Sequence, residues 1–254
     1  MTKTAFITGA TSGIGKATAQ ILAKNGINLI ITGRRSSLLK ELREQLMSDY
    51  SVEIQELCFD VRNKEEVNNA INGLSNHGGK IDILVNNAGL AAGLDHIQDG
   101  NIDNWERMID TNIKGLLHVS RAILPIMVKN GQGHVVNIAS TAGKEVYENG
   151  NVYCSTKHAV DAISKAMRID LLAEGIKVTS INPGMVETEF SIVRFDGDRE
   201  KAKIPYKGIK PLSGKDIAEI IWFTLNRPDH VNINDIIITP KAQANSFTVH
   251  RENP

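Results

Sequence analysis

The sequence predicts an α/β protein in which helices cover both faces of a doubly wound parallel sheet. Short apolar runs rich in Ile and Val alternate with longer amphipathic stretches along the chain. Several of these runs lack a polar alternation, as strands that are buried on both faces do. Regular alternation of strand and helix is typical of a parallel sheet between two layers of helices. Because no linker rich in Pro, Gly or Ser and no repeat interrupts the pattern, we expect residues 1–254 to form one domain.

The apolar runs are the predicted strands, and they lie at Thr4–Thr8, Ile27–Thr32, Val52–Phe59, Ile81–Asn86, His134–Ala139, Lys177–Ile181 and Asp235–Thr239. The amphipathic stretches are the predicted helices, at Gly13–Asn25, Ser36–Ser48, Lys64–Leu74, Ile102–Asn130, Asn151–Glu174 and Lys215–Asn226. Residues 184–211 break the alternation, because they are polar and show no clear period. A long irregular segment in a compact domain is usually functional, so we expect a substrate lid there. Residues 240–254 form a C-terminal tail that is long enough to reach a neighbouring subunit.

The composition indicates a soluble globular protein and argues against several kinds of partner. Lys plus Arg and Asp plus Glu both number 29, so the formal net charge is zero and nothing favours a nucleic-acid partner. Cys58 and Cys154 have no metal-type spacing, and neither do His118, His134 and His158, so we predict no metal site. The N-terminus shows no secretory segment, and no apolar run approaches the length of a membrane span. We therefore expect a cytoplasmic protein with no membrane partner.

A glycine-rich turn follows the first predicted strand and opens the first predicted helix. It reads Thr8-Gly9-Ala10-Thr11-Ser12-Gly13-Ile14-Gly15. Glycines permit a tight turn and a close approach of the backbone to a ligand, and the N-terminus of a helix attracts phosphate. This context predicts a site for the pyrophosphate of a nucleotide. The Gly-x-x-x-Gly-x-Gly spacing differs from the Gly-x-Gly-x-x-Gly fingerprint, so an ordinary glycine-rich turn is the alternative.

Two arginines, Arg34 and Arg35, follow the second predicted strand. In NAD-binding folds, an acidic residue at this position bonds the 2′-hydroxyl of the ribose. No acid stands here, and a guanidinium suits a phosphate. The sequence therefore favours NADP(H) over NAD(H) as the cofactor. The alternative is that the two arginines only begin a solvated helix.

Polar and small residues follow the next two predicted strands. Asp60-Val61 comes after the third strand, where the carboxylate could bond an adenine amino group. Asn86-Asn87-Ala88-Gly89 comes at the end of the fourth strand, where small residues and amides suit close packing against a ribose. The carboxyl ends of parallel strands form the edge at which open α/β folds bind ligands. Taken singly, each motif could be only a turn at a strand end.

Tyr153 and Lys157 stand four residues apart in a predicted helix and therefore share one face of it. A nearby cation favours the phenolate and lowers a tyrosine pKa that is ordinarily about 10. Ser140, upstream of both, could hold a carbonyl oxygen in front of the phenol. Together these side chains can move a proton on and off an alcohol or a ketone. The Tyr-x-x-x-Lys spacing alone also arises often by chance.

Taken together, these motifs resemble those of the short-chain dehydrogenase/reductase family. The matching residues are Thr8-Gly9, Gly13-Ile14-Gly15, Asp60-Val61, Asn86-Asn87-Ala88-Gly89, Asn112, Ser140, Tyr153, Lys157 and Pro183-Gly184. The resemblance implies a Rossmann-type fold with a seven-stranded sheet and catalysis by an Asn–Ser–Tyr–Lys set. It alone implies a role for Asn112, which would help to hold a water that relays protons behind the lysine. It also implies that the two longest predicted helices form a subunit interface, in a homotetramer or a homodimer.

The motifs and the resemblance together define an expected cofactor site. Its residues are Gly9, Thr11, Ser12, Gly13, Ile14, Gly15, Arg34, Arg35, Asp60, Val61, Asn87, Ala88, Gly89, Tyr153, Lys157, Pro183, Gly184, Val186 and Thr188.

The carboxyl half looks like that of the NADP-dependent 3-hydroxy acid dehydrogenases, a subgroup with enzymes named for serine and L-allo-threonine. The residues that carry this likeness are Val186-Glu187-Thr188-Glu189-Phe190-Ser191, Val193-Arg194-Phe195, Gly197-Asp198, Pro228 and His230-Val231-Asn232-Ile233-Asn234. A hydroxy acid needs a partner for its carboxylate, and Arg194 is the candidate in the sequence, while Ser140 would bond the reacting oxygen. The alternative is that Arg194 pairs with an acidic residue and orders the lid or a subunit contact.

We expect reversible, NADP-dependent hydride transfer on short 3-hydroxy acids of the serine, L-allo-threonine and 3-hydroxypropionate type. Tyr153 would exchange a proton with the substrate, Ser140 would bond its oxygen, and Lys157 would lower the pKa of Tyr153. A broad carbonyl or ketone reductase is one alternative. A nucleotide-binding regulator that has lost catalysis is another, and the complete Asn–Ser–Tyr–Lys set argues against it.

Overall fold

Seven strands form one parallel sheet in the computed structural model, which describes residues 2–75 and 80–252. The strands of the chain are β1 (Thr4–Ile7), β2 (Asn28–Gly33), β3 (Ile54–Cys58), β4 (Ile83–Asn86), β5 (Gly133–Ile138), β6 (Ile176–Pro183), β7 (Val186–Glu187), β8 (Leu212–Ser213) and β9 (Asp235–Ile238). The order in the sheet is β3-β2-β1-β4-β5-β6-β9, and its pairings are parallel. The predicted Rossmann-type sheet is thereby confirmed. Residues 1, 76–79, 253 and 254, which the predicted domain and tail include, lie outside the described residues.

Helices cover both faces of this sheet. They are α1 (Gly13–Lys24), α2 (Ser36–Asp49), α3 (Lys64–Ser75), α4 (Ile102–Ile109), α5 (Leu116–Lys129), α6 (Asn151–Asp170), α7 (Glu189–Arg194), α8 (Arg199–Lys203) and α9 (Gly214–Leu225). Successive side chains of a strand point to opposite faces, so Ile7 and Ile31 pack into one core and Phe6 and Ile30 into another. The first core takes apolar side chains from α1, α2 and α9, and the second takes them from α3, α5 and α6.

The prediction of one α-helix at Ile102–Asn130 is wrong, because a π-helix at Asp110–Gly115 separates α4 from α5. Asn112 is buried within this turn and bonds the backbone of Leu90. A Cβ at Gly115 would lie 2.7 Å from a methyl carbon of Val61, so the turn packs tightly there. The wider turn re-aims the side chains that follow it, and such turns are frequent at functional sites.

The prediction that residues 184–211 are irregular is also wrong. The segment contains β7, α7, α8 and a 3₁₀ turn at Ile204–Tyr206, and β7 pairs with β8 just beyond it. The side chains of Thr188 and Asp198 accept backbone amides at the starts of α7 and α8. Each helix is too short to show a hydrophobic period in the sequence, so the pattern did not predict it.

A chain of buried polar side chains joins β4 to β5. Asn86 Nδ2 donates to Asn137 Oδ1 at 2.9 Å and to Ser120 Oγ at 3.1 Å, and Asn137 Nδ2 donates to Ser164 Oγ at 2.9 Å. Asn86 and Asn137 are also direct partners in the register of the two strands. These bonds satisfy polar groups that are costly to bury alone. They tie α5 and α6 to strands whose ends form the cavity described below.

Among the helices in residues 2–75 and 80–252, none is long and apolar enough to cross a membrane.

Candidate active site

A cavity of about 580 Å³ lies at the carboxyl ends of the strands. The predicted residues that line it are Gly9, Thr11, Ser12, Gly13, Ile14, Arg34, Arg35, Asp60, Val61, Asn87, Ala88, Gly89, Ser140, Tyr153, Lys157, Pro183, Gly184, Val186, Thr188 and Arg194. Gly15 and Asn112 do not line it and instead support its wall from behind. Tyr147 and Gln243 line the cavity too, although no motif in the sequence predicts them, and so does Phe190, which the motif at residues 186–191 contains without a predicted role.

The glycine turn leaves backbone amides available for a phosphate. Ser12 precedes α1 and makes no side-chain cap to it, and the first turn of α1 carries no acidic residue. The first amides of a helix have no partner within the helix and, with the helix dipole, attract an anion. A Cβ at Gly15 would lie 2.3 Å from the carbonyl oxygen of Gly9, which itself has a φ of +66°. The turn therefore fits a pyrophosphate and has no room for a side chain at Gly15.

Asn87 fixes the glycine turn to the end of β4. Its Nδ2 donates to the carbonyl oxygens of Thr8 at 2.8 Å and of Gly9 at 3.1 Å. The hydroxyl of Thr8 accepts the backbone amides of Asn87 and Ala88, both at 2.9 Å. The Asn87 amide thus faces the turn, and the predicted cofactor role of this residue includes holding the turn in shape.

The two arginines lie at the end of the cavity beyond β2. Arg35 Nη2 donates to Thr11 Oγ1 at 2.9 Å, and Arg35 Nη1 pairs with Glu189 Oε2 at 3.0 Å. Arg34 Nη1 lies 3.8 Å from Asp60 Oδ2. Both guanidinium groups are accessible, and two cations beside the glycine turn fit a ribose 2′-phosphate. Glu189 begins α7, so the segment that follows β6 reaches this end of the cavity.

Asp60 is held in place by its neighbour Arg62. Arg62 Nη2 donates to Asp60 Oδ2 at 2.6 Å, and Arg62 Nε lies 3.0 and 3.1 Å from the two carboxylate oxygens. Burial raises the pKa of Asp60, but the bonds with Arg62 outweigh burial and leave the pKa below its ordinary value. The carboxylate therefore stands ionised and fixed in the wall where an adenine was predicted.

Ser140, Tyr153 and Lys157 meet on the other side of the cavity. Ser140 has an extended backbone before a 3₁₀ turn at Thr141–Gly143, and its hydroxyl accepts the amide of Ala142 at 3.1 Å. Tyr153 and Lys157 lie on the first turns of α6, and Lys157 Nζ is 6.0 Å from the centre of the Tyr153 ring. A Cβ at Gly143 would lie 2.6 Å from the carbonyl oxygen of Lys157, so this glycine lets the Ser140 turn approach α6 closely.

The pKa of Tyr153 differs from the prediction that Lys157 lowers it. Burial raises the pKa of Tyr153 above its ordinary value, and Tyr147 adds to the rise, while a hydrogen bond to Ser140 and the charge of Arg194 lower it. Burial also lowers the pKa of Lys157 to about 8, and its Nζ donates to the carbonyl oxygen of Ile138 at 2.9 Å. The spacing of the two residues predicted their proximity but not this burial. A raised pKa favours the protonated phenol of Tyr153, the form that can give a proton to a carbonyl.

Asn112 supports this group from behind. Its Oδ1 accepts the amide of Leu90 at 2.9 Å, and its Nδ2 donates to Leu90 O at 2.8 Å and to Thr156 Oγ1 at 3.0 Å. The predicted water relay remains a prediction, since these contacts are to protein groups. They join the loop after β4 to α6 at the turn between Tyr153 and Lys157.

Arg194 extends from α7 over the group formed by Ser140, Tyr153 and Lys157. Its Nε donates to the carbonyl oxygen of Gly93 at 3.3 Å and its Nη2 donates to Tyr147 Oη at 3.2 Å. The amide of Gly93 returns a bond to the carbonyl oxygen of Arg194 at 3.1 Å. The guanidinium carbon lies 5.6 Å from the centre of the Tyr153 ring. No carboxylate of the described residues pairs with Arg194, so the acidic partner considered as an alternative is not found among residues 2–75 and 80–252.

The three histidines that lack metal-type spacing each have a hydrogen-bond partner within the protein. His118 Nδ1 bonds Val61 O, His134 Nε2 bonds Thr179 Oγ1, and His158 Nδ1 bonds Cys154 O. Within the described part of the chain, no group of three His, Cys, Asp or Glu side chains could hold a metal ion.

Comparison with known proteins gives a consistent result. The family model described as short chain dehydrogenase matches residues 3–198. An NADP-dependent 3-hydroxy acid dehydrogenase of Schizosaccharomyces pombe is 43% identical over 251 residues, which make up 98% of this chain and 97% of that protein. Sulfoacetaldehyde reductase 2 of Chromohalobacter salexigens is 41% identical over 254 residues, or 99% of this chain and 100% of that protein.

A solved structure has the same fold over the same length. The closed form of serine dehydrogenase complexed with NADP+ superimposes with a TM-score of 0.90 at 41% identity, and covers 98% of this chain and 100% of its own. The similarity therefore continues past residue 198, where the match to the family model ends.

Proposed function

The chain belongs to the short-chain dehydrogenase family and is an NADP-dependent oxidoreductase, and we propose that it interconverts short 3-hydroxy acids and their carbonyl forms. The environment of Arg194 supports an acidic substrate, because the hydrogen-bond partners of its guanidinium, Gly93 O and Tyr147 Oη, are both neutral. A cation with neutral partners at the mouth of a cavity attracts an anionic group of a ligand. Serine, L-allo-threonine and 3-hydroxypropionate supply that group as a carboxylate.

The cofactor residues divide by the part of the nucleotide that they suit. In our proposal, the amides of the Gly9–Gly15 turn hold the pyrophosphate, and Arg34 and Arg35 hold the 2′-phosphate. The carboxylate of Asp60 accepts a hydrogen bond from the adenine amino group. The remaining predicted cofactor residues lie along the strand ends and the start of the lid, and they include Val61, Ala88, Gly89, Pro183, Val186 and Thr188.

When bound, NADP(H) supplies the hydride in reduction and accepts it in oxidation. Tyr153 gives a proton to the carbonyl oxygen in reduction and takes it from the hydroxyl in oxidation. Ser140 donates a hydrogen bond to the same oxygen and stabilises the charge that develops on it. Lys157 would hold the nicotinamide ribose of the bound cofactor, and Asn112 keeps the backbone near both residues in place. The residues 184–211 act as the lid that brings Arg194 to the substrate.

A second candidate substrate is a short aldehyde with a sulfonate group. Sulfoacetaldehyde reductase 2 resembles this chain over its whole length, and the guanidinium of Arg194 can bond two oxygens of a sulfonate as it can those of a carboxylate. Both candidates need the same cation beside Tyr153. A broad carbonyl reductase would not need it, and a silent NADP-binding regulator would need neither Tyr153 nor Arg194.

Substrate oxidation or reduction, followed by NADPH absorbance, tests this proposal. The panel contains serine, L-allo-threonine, 3-hydroxypropionate, 3-hydroxyisobutyrate, sulfoacetaldehyde, simple ketones and the methyl esters of the acids. We expect Arg194→Ala to raise KM for the acids about tenfold or more and to change KM for their esters little. Arg199→Ala, an exposed arginine of the same segment, is the matched control. Equal effects on acids and esters would exclude the carboxylate role, and tight NADPH binding without turnover of any substrate would favour the regulator.

Two further expectations stay predictions. One is the cytoplasmic location, and the other is assembly into a homotetramer or homodimer. Gel filtration with light scattering measures the second directly.

A further inference from the structure

The predicted C-terminal tail folds onto its own chain as a hairpin of residues 242–250. Gln243 and Val249 form an antiparallel bridge, and the amide of His250 donates to Ala242 O at 2.8 Å. At the tip, Asn245 Oδ1 accepts the amide of Phe247 at 3.1 Å. We call residues 242–250 the C-terminal hairpin.

Gln243 is the buried residue of this hairpin, with 5% of its surface exposed. Its Oε1 accepts the amide of Met185 at 2.8 Å, and its Nε2 donates to Asn245 O at 3.1 Å. A Cβ at Gly184 would lie 2.2 Å from Gln243 Oε1, so the side chain fills the space beside that glycine. Gln243 therefore fixes the backbone at Gly184 and Met185, where the lid begins.

The same backbone touches Ser140. The hydroxyl of Ser140 lies 3.4 Å from the carbonyl oxygen of Pro183, directly before Gly184. On the other side, the amide of Ser246 donates to Glu145 Oε2 at 2.7 Å, and Glu145 follows the 3₁₀ turn that Ser140 begins. The C-terminal hairpin thus holds the chain on both sides of Ser140, although it lies far from Ser140 in the sequence.

We propose that Gln243 is a positioning residue that sets the place of the Ser140 hydroxyl through Pro183–Met185. This inference rests on the proposed role of Ser140 at the reacting oxygen of the substrate. Without the amide acceptor, the Met185 N–H is left without its partner in a partly buried place, and the backbone moves to find another. A shift of about 1 Å at a catalytic group can cost about a hundredfold in rate. Pro183 and Gly184 are part of the expected cofactor site, but the glycine turn and the arginines are held by other contacts, so cofactor affinity should fall far less than the rate.

The first test compares Gln243→Met, which has no amide, with Gln243→Glu, which keeps an acceptor oxygen. For the best carbonyl substrate of the panel, we expect Gln243→Met to lower kcat about ten- to a hundredfold. KM should stay within about twofold, the Kd of NADPH should change far less than kcat, and Gln243→Glu should recover most of the rate. Gln98→Met, an exposed glutamine, is the control. A fall in thermal stability together with a loss of NADPH binding in Gln243→Met would overturn the positioning role in favour of a general structural one.

The second test is a double-mutant cycle with Ser140→Ala, measured as single-turnover rates. If Gln243 acts through Ser140, Gln243→Met should lower the rate of Ser140→Ala by less than about twofold. Independent, multiplicative losses would overturn the inference. Absence of any turnover in the wild-type protein would instead count against the proposed function, so the two failures are distinct.

Discussion

The guanidinium carbon of Arg194 lies 5.6 Å from the centre of the Tyr153 ring. The contact brings α7, part of the proposed lid, directly onto the phenol that we propose as the proton donor. Burial, the largest effect, raises the pKa of Tyr153, whereas the charge of Arg194 lowers it. In the proposed mechanism, substrate recognition and proton transfer share one cation, because an anion bound to Arg194 would neutralise part of the charge that acts on Tyr153.

Removal of the Tyr153 hydroxyl should separate cofactor binding from chemistry. We expect Tyr153→Phe to leave the Kd of NADPH within about twofold and to lower kcat by about a thousandfold, since a positioned acid contributes about 10²–10⁴ in rate. Fluorescence titration measures the first and steady-state kinetics the second. Tyr50→Phe, in a residue outside the cavity, is the control. A kcat within about tenfold of wild type would remove Tyr153 from the proton-transfer step.

The buried Lys157 should make stability depend on alkaline pH. Burial lowers its pKa to about 8 from an ordinary 10.5. Between these values the unfolded chain binds more protons than the folded chain, so the free energy of unfolding rises with pH. Below about pH 8 both states are protonated, and the folded protein carries the full cost of the buried charge.

The measurement is urea unfolding of the cofactor-free protein and of Lys157→Met. Between about pH 7.5 and about pH 9.5, the free energy of unfolding of the wild type should gain about 1–2 kcal/mol relative to the variant. A difference between the two proteins that stays constant over this range would contradict the lowered pKa.

Arg35 should determine much of the preference for NADPH. We expect Arg35→Ala to weaken NADPH binding about tenfold, the loss of one charge-assisted bond to phosphate, and to leave NADH binding nearly unchanged. Glu189→Gln frees Arg35 from its ion pair at 3.0 Å. Because this pair is exposed and therefore weak, the variant should bind NADPH as tightly as the wild type or up to about threefold more tightly. Equal weakening of NADPH and NADH in Arg35→Ala would exclude 2′-phosphate recognition.

Gly15→Ala should disrupt the glycine turn. The new Cβ would lie 2.3 Å from Gly9 O and 2.5 Å from Asn87 Nδ2, and the backbone oxygen cannot move without opening the turn. We expect NADPH binding to be lost or weakened at least about a hundredfold, with a lower melting temperature. Gly73→Ala is the control, because Gly73 lies in α3 with nothing within 4 Å of its Cβ position. That variant should gain about 0.5–1 kcal/mol of stability. Normal NADPH binding by Gly15→Ala would show that the turn is looser than described.

The sequence predicted the parts of the site that follow directly from strands. Apolar runs locate the strand ends, and parallel strands bring those ends to one edge, so Asp60 and Asn87 were expected at the same edge of the sheet. The lid helices α7 and α8 were not predicted, because side-chain caps rather than hydrophobic periodicity define such short helices. The raised pKa of Tyr153 was not predicted either, since spacing along a helix determines proximity and says nothing about burial.

Residues that act through tertiary contacts left no local signal. Gln243 stands in a tail with no motif, and only the folded chain brings its amide to Met185. Tyr147 lies in a polar loop, and no motif around it indicates that it lines the cavity. Asn112 came from the resemblance alone, because a polar residue inside a predicted helix has many ordinary explanations.

The hydrogen bond between Asn86 and Asn137 favours the native register of β4 and β5 over shifted ones. If β4 and β5 paired two residues out of register, each amide would meet an aliphatic neighbour, and the bond between the two asparagines would be lost, at a cost of about 1–3 kcal/mol for a buried group without a partner. Asn87 follows one of these strands and Ser140 follows the other after a single residue. A shift in register would therefore both destabilise the sheet and displace Asn87 and Ser140 from each other. The interaction that selects the native register also aligns the two strand ends that form the site.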